Sequence, residues 1–114
     1  MFMKACGQTV GTRNEDQFRL YKDLIGEEVD EFFDAVDRGD QVEIFDALLD
    51  IIVVCAGAGH SLGLPMEAGW DAVQASNMRK VNPATGQVDR RYDGKVLKPE
   101  GWRPPNLSRL LEDA

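Results

Sequence analysis

Apolar residues recur at steps of three and four along the first third of the chain: Phe18, Tyr21, Ile25, Val29, Phe32 and Val36. That period places them on one stripe of an α-helix. Asn14, followed by Glu15 and Asp16, reads as a helix N-terminus, and Arg38-Gly39 as a C-terminus. The pattern predicts a helix from about Glu15 to Arg38, with Gly26 a mild cost inside it. Asp40 can cap a second helix, about Gln41 to Gly59. In it Val42, Phe45, Leu49, Ile52, Val53 and Ala56 form one apolar face. Ile44, Ala47, Ile51, Val54 and Ala58 cover much of the opposite side. A helix apolar nearly all round is buried on several sides. In a chain of 114 residues the extra face calls for another subunit.

Beyond this pair the pattern loosens. Gly57, Gly59 and Gly63 interrupt it, and Pro65 suits the first position of a third helix ending near Asn77 or Lys80. Met66, Trp70, Val73 and Met78 are its expected core residues. Asn82 to Gly86 is a turn cluster, and Arg91 to Val96 reads as a small hairpin around Asp93-Gly94. Pro99, Pro104 and Pro105 defer any further helix to about Ser108, and the first 14 residues carry weak signals. The expectation is an all-α fold: an antiparallel helix bundle completed by oligomerisation, with a mostly irregular basic C-terminal segment. One domain over residues 1–114 is expected, with its helical core at about 15–80.

Composition narrows the class. The chain is 43% hydrophobic with no apolar run long enough for a membrane span. Its first residues, MFMKACGQTV, lack the apolar stretch of a signal peptide. Cys6 and Cys55 have no metal-type spacing, and Cys55 sits in an apolar run as an expected core residue. A reduced, cytoplasmic setting is therefore expected. The net charge of -7 is uneven. Residues 1–50 hold 13 acids and 5 bases, whereas residues 77–103 hold 7 bases and 3 acids. An acidic half joined to a basic tail is unlike a nucleic-acid binder. It suits a metal site on one segment and an anionic small ligand held by the other.

The acids fall in bands. At about 100° per residue, Glu28 and Glu31 lie within about 60° of each other beside the apolar stripe, and Glu27 extends the band outward. On the second helix Glu43, Asp46 and Asp50 form the one polar stripe of an otherwise apolar element. The short Arg38-Gly39-Asp40 turn makes the two helices antiparallel neighbours, so the bands can face one another. Clustered carboxylates near a core are costly without a compensating positive charge. Lys22 and Arg38 are the only bases between residues 20 and 60. A hard divalent cation with its oxygen preference fits this better than a solvated face does, because the second band cuts an apolar helix.

The segments Leu24–Glu31 (LIGEEVDE), Asp46–Val54 (DALLDIIVV), Ser76–Lys80 (SNMRK) and Asp93–Pro99 (DGKVLKP) together resemble the all-α nucleoside triphosphate pyrophosphohydrolases. This is the MazG-like and all-α dUTPase superfamily, and the last two segments are similar to its phosphoribosyl-ATP-pyrophosphohydrolase-like branch. The family pattern is EExxE followed by ExxD. Here Ala47 stands where a Glu would precede Asp50, with Asp46 one residue earlier; Glu43 and Asp46 form the alternative pair. The resemblance implies hydrolysis of a (deoxy)nucleoside triphosphate to the monophosphate and pyrophosphate, in control or house-cleaning of nucleotide pools. It implies Mg²⁺, with Mn²⁺ as a substitute, held by Glu28, Glu31, Asp46 and Asp50, with Glu43 as second choice. Glu27 would orient or deprotonate the attacking water. Asn77, Lys80, Lys95 and Lys98, in a nucleotide-contacting tail at about 77–105, would bind substrate.

Within the superfamily, specialised dUTP or dCTP hydrolysis is the alternative, and phosphoribosyl-ATP ranks below both. A different class is a non-catalytic oligomeric protein that uses the acids to hold an ion; a purely structural helical assembly is a third. Glu27 discriminates, since a structural ion has little use for another acid beside four ligands. The expected partners are a nucleotide and a second or fourth copy of the chain, as homodimer or homotetramer, with no nucleic acid and no membrane. His60, the only histidine, reads as a loop or structural residue. Trp70 is expected in the core, and Trp102, set among prolines, as an anchor for the tail.

Overall fold

The two long helices begin and end where their capping residues stand. In the computed structural model, which describes residues 2–113, α1 (Phe2–Ala5) is followed by α2 (Glu15–Arg38), α3 (Gln41–Ser61) and α4 (Met66–Met78). A two-stranded antiparallel sheet, β1 (Val81–Asn82) and β2 (Gln87–Val88), and then α5 (Leu107–Asp113) complete the order. The fold is all-α. The chain divides into two compact units, Met1–Met66 and Glu67–Ala114.

In the first unit, the Asn14 side chain accepts a hydrogen bond from the Gln17 amide at 3.1 Å and so caps α2. Glu15 and Asp16 in its first turn complement the positive end of the helix dipole. At the other end Gly39 takes a left-handed conformation, φ 65°. Its amide donates to Val36 O and the Asp40 amide to Ala35 O, a Schellman ending. Asp40 then caps α3, its Oδ1 accepting from the Glu43 amide at 3.1 Å. Two residues thus close one helix and open the next, leaving α2 and α3 as an antiparallel pair.

The face that α3 turns to α2 is its small-residue side. Ala47, Val54, Gly57 and Ala58 are buried. Of the two apolar faces, the one formed by Val42, Phe45, Leu49, Ile52 and Val53 points outward, with Val42 at 75% and Ile52 at 65% exposure. The reason is space. The Tyr21 ring lies so close to Gly57 that an added methyl would come within 2.6 Å of its Cδ1. Glycine at position 57 permits this approach, and a side chain there would not. Met3, Tyr21, Val54 and Ala58 make the core cluster, with Val10, Phe18, Leu24 and Ile25 packed against it. Cys55 is exposed rather than in the core, because it follows the outward stripe.

The residues before α2 are strapped to this pair. Gln17 donates to Thr9 O and to Ser61 Oγ, at 2.7 and 2.8 Å, and its Oε1 accepts from the Thr9 amide. Ser61, fully buried, in turn donates to Gly57 O.

In the second unit, β1 and β2 pair Val81 with Val88 and Asn82 with Gln87 around the expected turn. The Arg91–Val96 hairpin is reduced to an isolated bridge, Arg90 with Val96, closed by Gly94 at φ 90°. Of the expected inward residues of α4, Trp70 and Met78 are exposed, and Val73 is exposed to a lesser degree. Trp102 donates its indole N–H to Ser76 O at 2.9 Å and ties the proline-rich tail to α4.

Candidate active site

Helical spacing on α2 and α3 brings four acids of the first unit into one electrostatic group. Glu28 and Glu31 are one turn apart on α2, Asp46 and Asp50 one turn apart on α3. Glu28 is half-buried, and its Oε2 is buried without a hydrogen-bond partner. Its carboxyl is pushed above the usual range, first by loss of water, then by the charge of Glu31 and, more weakly, of Asp50 and Asp46. Asp50 is likewise raised, by desolvation first and then by Asp46 and Glu31. Each pair thus reaches across to the other helix. Glu31 and Asp46 are the more exposed members.

Beside them Glu31, Asp34, Arg38, Glu43, Asp46 and Ala47 line an open cavity of about 290 Å³. Asp34 was not singled out in the sequence. It continues the Glu28, Glu31 spacing by another three residues, and that repeat was the available signal. Arg38 is the only base on this wall, and among the described residues no acid of the group forms an ion pair. Ala47, at the position where the family pattern has Glu, is 4% exposed in the α2–α3 contact. Glu43 lines the cavity but is not among the charges acting on Glu28 or Asp50. Glu27 is exposed, about 100° round α2 from Glu28, and does not line the cavity.

What this arrangement can do follows from its donors. All are carboxylate oxygens, the type that hard divalent ions take. The orphaned Glu28 oxygen and the mutual repulsion of the group both mark an uncompensated demand for positive charge. Among the described residues, no three of these side chains converge on one point as a closed ligand cage. The residues present fit such an ion by the chemistry of their donors.

The other expected site residues belong to the second unit. Lys80 donates through Nζ to Asn77 Oδ1 at 3.0 Å. The ammonium groups of Lys80 and Lys98 lie 5.1 and 4.9 Å from the centre of the Trp102 ring. Lys95 sits in the Gly94 turn, where its carbonyl accepts from the Arg91 amide at 2.7 Å. Asp93 accepts from the Arg91 guanidinium, which holds its carboxyl below the ordinary value. His60 lies near the end of α3, away from these groups in the sequence. Among the described residues, no helix is long and apolar enough to cross a membrane.

The family model for phosphoribosyl-ATP pyrophosphohydrolase matches residues 8–77. That span is more than half of the chain and contains α2, α3, nearly all of α4 and every acid of the group. Comparison with curated proteins gives no match. The chain belongs to the phosphoribosyl-ATP pyrophosphohydrolase family, hydrolases that act on the phosphoanhydride bonds of nucleotides.

Proposed function

We propose that the protein hydrolyses (deoxy)nucleoside triphosphates to the monophosphate and pyrophosphate in a Mg²⁺-dependent reaction, acting on nucleotide pools. The observation that carries this reading is the buried, unpartnered Glu28 oxygen among three further acids on facing helices. Glu28, Glu31, Asp46 and Asp50 would hold the ion. Bound there, Mg²⁺ would supply neutralisation of phosphate charge and polarisation of a water. Mn²⁺ takes a similar oxygen-rich site and would substitute.

The chain's own groups do the rest. Glu27, exposed and one residue before Glu28 on α2, would orient the attacking water and accept its proton. Burial and neighbouring charge raise the proton affinity of Glu28 and Asp50, and a bound ion would act the other way, favouring their ionised forms. Asn77 has the donor and acceptor to meet a base edge or sugar, and Lys80, Lys95 and Lys98 have the charge to meet phosphate oxygens.

The outward stripe of Val42, Phe45, Leu49, Ile52 and Val53 supports a homodimer or homotetramer, in which a second copy covers that stripe. A reduced, cytoplasmic setting fits the two free cysteines. The test is pyrophosphate release from a panel of ribo- and deoxynucleoside triphosphates, with Mg²⁺ and with chelator. Metal-dependent release supports the reading; release that is indifferent to chelator would sink it.

A further inference from the structure

One base stands on a wall of acids. Arg38 ends α2 and lines the cavity of about 290 Å³ together with Glu31, Asp34, Glu43 and Asp46. It follows Glu31 by two helical turns, so the two share a face of α2 and lie about 10 Å apart along its axis. Side chains on a helix lean toward its N-terminus, which turns Arg38 back toward Asp34 and Glu31. Even so, among the described residues Arg38 forms no ion pair with any acid of the cavity. It is exposed, with a full fork of N–H donors not taken up by those neighbours.

A base in the last turn of a helix complements the negative end of its dipole, and a lysine would serve that end as well as an arginine. The cavity asks for more. Four carboxylates against one guanidinium leave its wall three negative charges, and a single divalent ion offsets only two of them. A phosphate that enters beside such an ion still meets like charge, and Arg38 is the group on the wall that opposes it. A guanidinium takes phosphate oxygens two at a time through its planar fork, which an ammonium does not. At about 30 Å³ per water, the cavity has about ten waters' worth of space, room for two phosphoryl groups.

We propose that Arg38 binds the pyrophosphate portion of a nucleoside triphosphate and stabilises it as the leaving group. In the reaction the oxygen of water bonds to the α-phosphorus; one of its protons passes to Glu27 and the other stays on the monophosphate. The bond from that phosphorus to the bridging oxygen breaks, and its electron pair departs on the pyrophosphate. Arg38 donates hydrogen bonds to the oxygens where that charge gathers. It lies on the same helix as Glu28 and Glu31, so the contact needs no residue of the second unit. The inference rests on the pyrophosphohydrolase reading for the identity of the substrate, and on the cavity of the first unit for the contact.

The test is calorimetry on the full chain, first with Mg²⁺ alone and then with inorganic pyrophosphate in excess Mg²⁺. Arg38→Met should move the two affinities in opposite directions. Mg²⁺ alone should bind about two- to fivefold tighter, because a positive charge has left the acid cavity. Pyrophosphate should bind about tenfold weaker. Arg38→Lys keeps the charge and loses the fork, and its pyrophosphate affinity should fall between those of the parent and Arg38→Met. It also keeps the charge at the helix end, so it reads the contact should Arg38→Met fail to fold. Weaker binding of both ligands by Arg38→Met would mark Arg38 as a structural part and overturn the proposal. So would pyrophosphate affinity indifferent to both substitutions, or no pyrophosphate binding by the parent at millimolar concentration. If nucleotides are hydrolysed while Arg38→Met holds pyrophosphate as the parent does, this inference falls and the pyrophosphohydrolase reading stands. If no nucleotide is hydrolysed while pyrophosphate affinity still depends on Arg38, that reading falls and the binding contact stands.

Discussion

Tyr21 of α2 occupies the space that a side chain at position 57 of α3 would need, and its hydroxyl donates to Gln8 Oε1 at 2.6 Å. One residue therefore joins the helix pair to the N-terminal strap. Gly57→Ala must push the ring or the helix aside, and should cost about 1–3 kcal/mol in chemical denaturation. Tyr21→Phe keeps the ring but leaves Gln8 without its donor, and should cost about 1 kcal/mol. Equal stability of Gly57→Ala and the parent would mean the helices do not approach this closely.

The acids of the first unit should oppose folding when no metal is present. Glu28 has a folded-state value above its ordinary 4.5, and Asp50 one above its ordinary 3.8. A raised carboxylate binds its proton more tightly in the folded chain than in the unfolded one. Stability is then highest below the unfolded values and falls as pH rises through the raised folded ones. In chelator, thermal midpoints should accordingly drop as pH climbs from about 4 toward neutrality. Glu28→Gln should raise the midpoint at neutral pH and lose that advantage in acid. A midpoint lowered by Glu28→Gln at pH 7 would show that the carboxylate is compensated.

The same substitution should remove function. Glu28→Gln or Asp50→Asn should reduce Mg²⁺-dependent pyrophosphate release by about 100-fold or more. Glu43→Gln should cost less than Asp50→Asn, since Glu43 is absent from the charges that act on Glu28. The reverse order would select Glu43 and Asp46 as the α3 ligands.

The outward stripe of α3 gives a prediction about mass. Light scattering should give a multiple of 12.7 kDa, and Phe45→Glu with Ile52→Lys should return it to one. A monomer from the parent chain at working concentration would leave this stripe without a covering copy.

Helix ends were legible in the sequence because caps are local. Asn14, Gly39 and Asp40 each act within a few residues, and α2 runs over the expected Glu15–Arg38. Asn14→Ala should accordingly cost about 1 kcal/mol. The inward face of α3 was not legible. Periodicity separates faces only when one is polar, and both long sides of this helix are apolar. The choice was made by the distance of approach to Tyr21, a relation between residues 36 positions apart. The meeting of Glu28 and Glu31 with Asp46 and Asp50 was foreseeable from spacing and the short turn. The gathering of Lys80 and Lys98 on Trp102 was not, because no period links a tail to the end of a helix. α1 escaped notice because a single turn carries no period.

The Gly39-Asp40 junction has a consequence for how this chain can vary in length. With one helix closed and the next opened by adjacent residues, no slack remains to absorb a change. One residue inserted within α2 between Glu31 and Arg38 would rotate everything after it by about 100°. Asp46 and Asp50 would then sweep out of phase with Glu28 and Glu31, although every residue of both helices remained. The junction thus works as an indexing pin: it converts residue count into the angle between two sets of acids. Insertions and deletions should be tolerated in the turn at Pro83–Gly86 long before they are tolerated here.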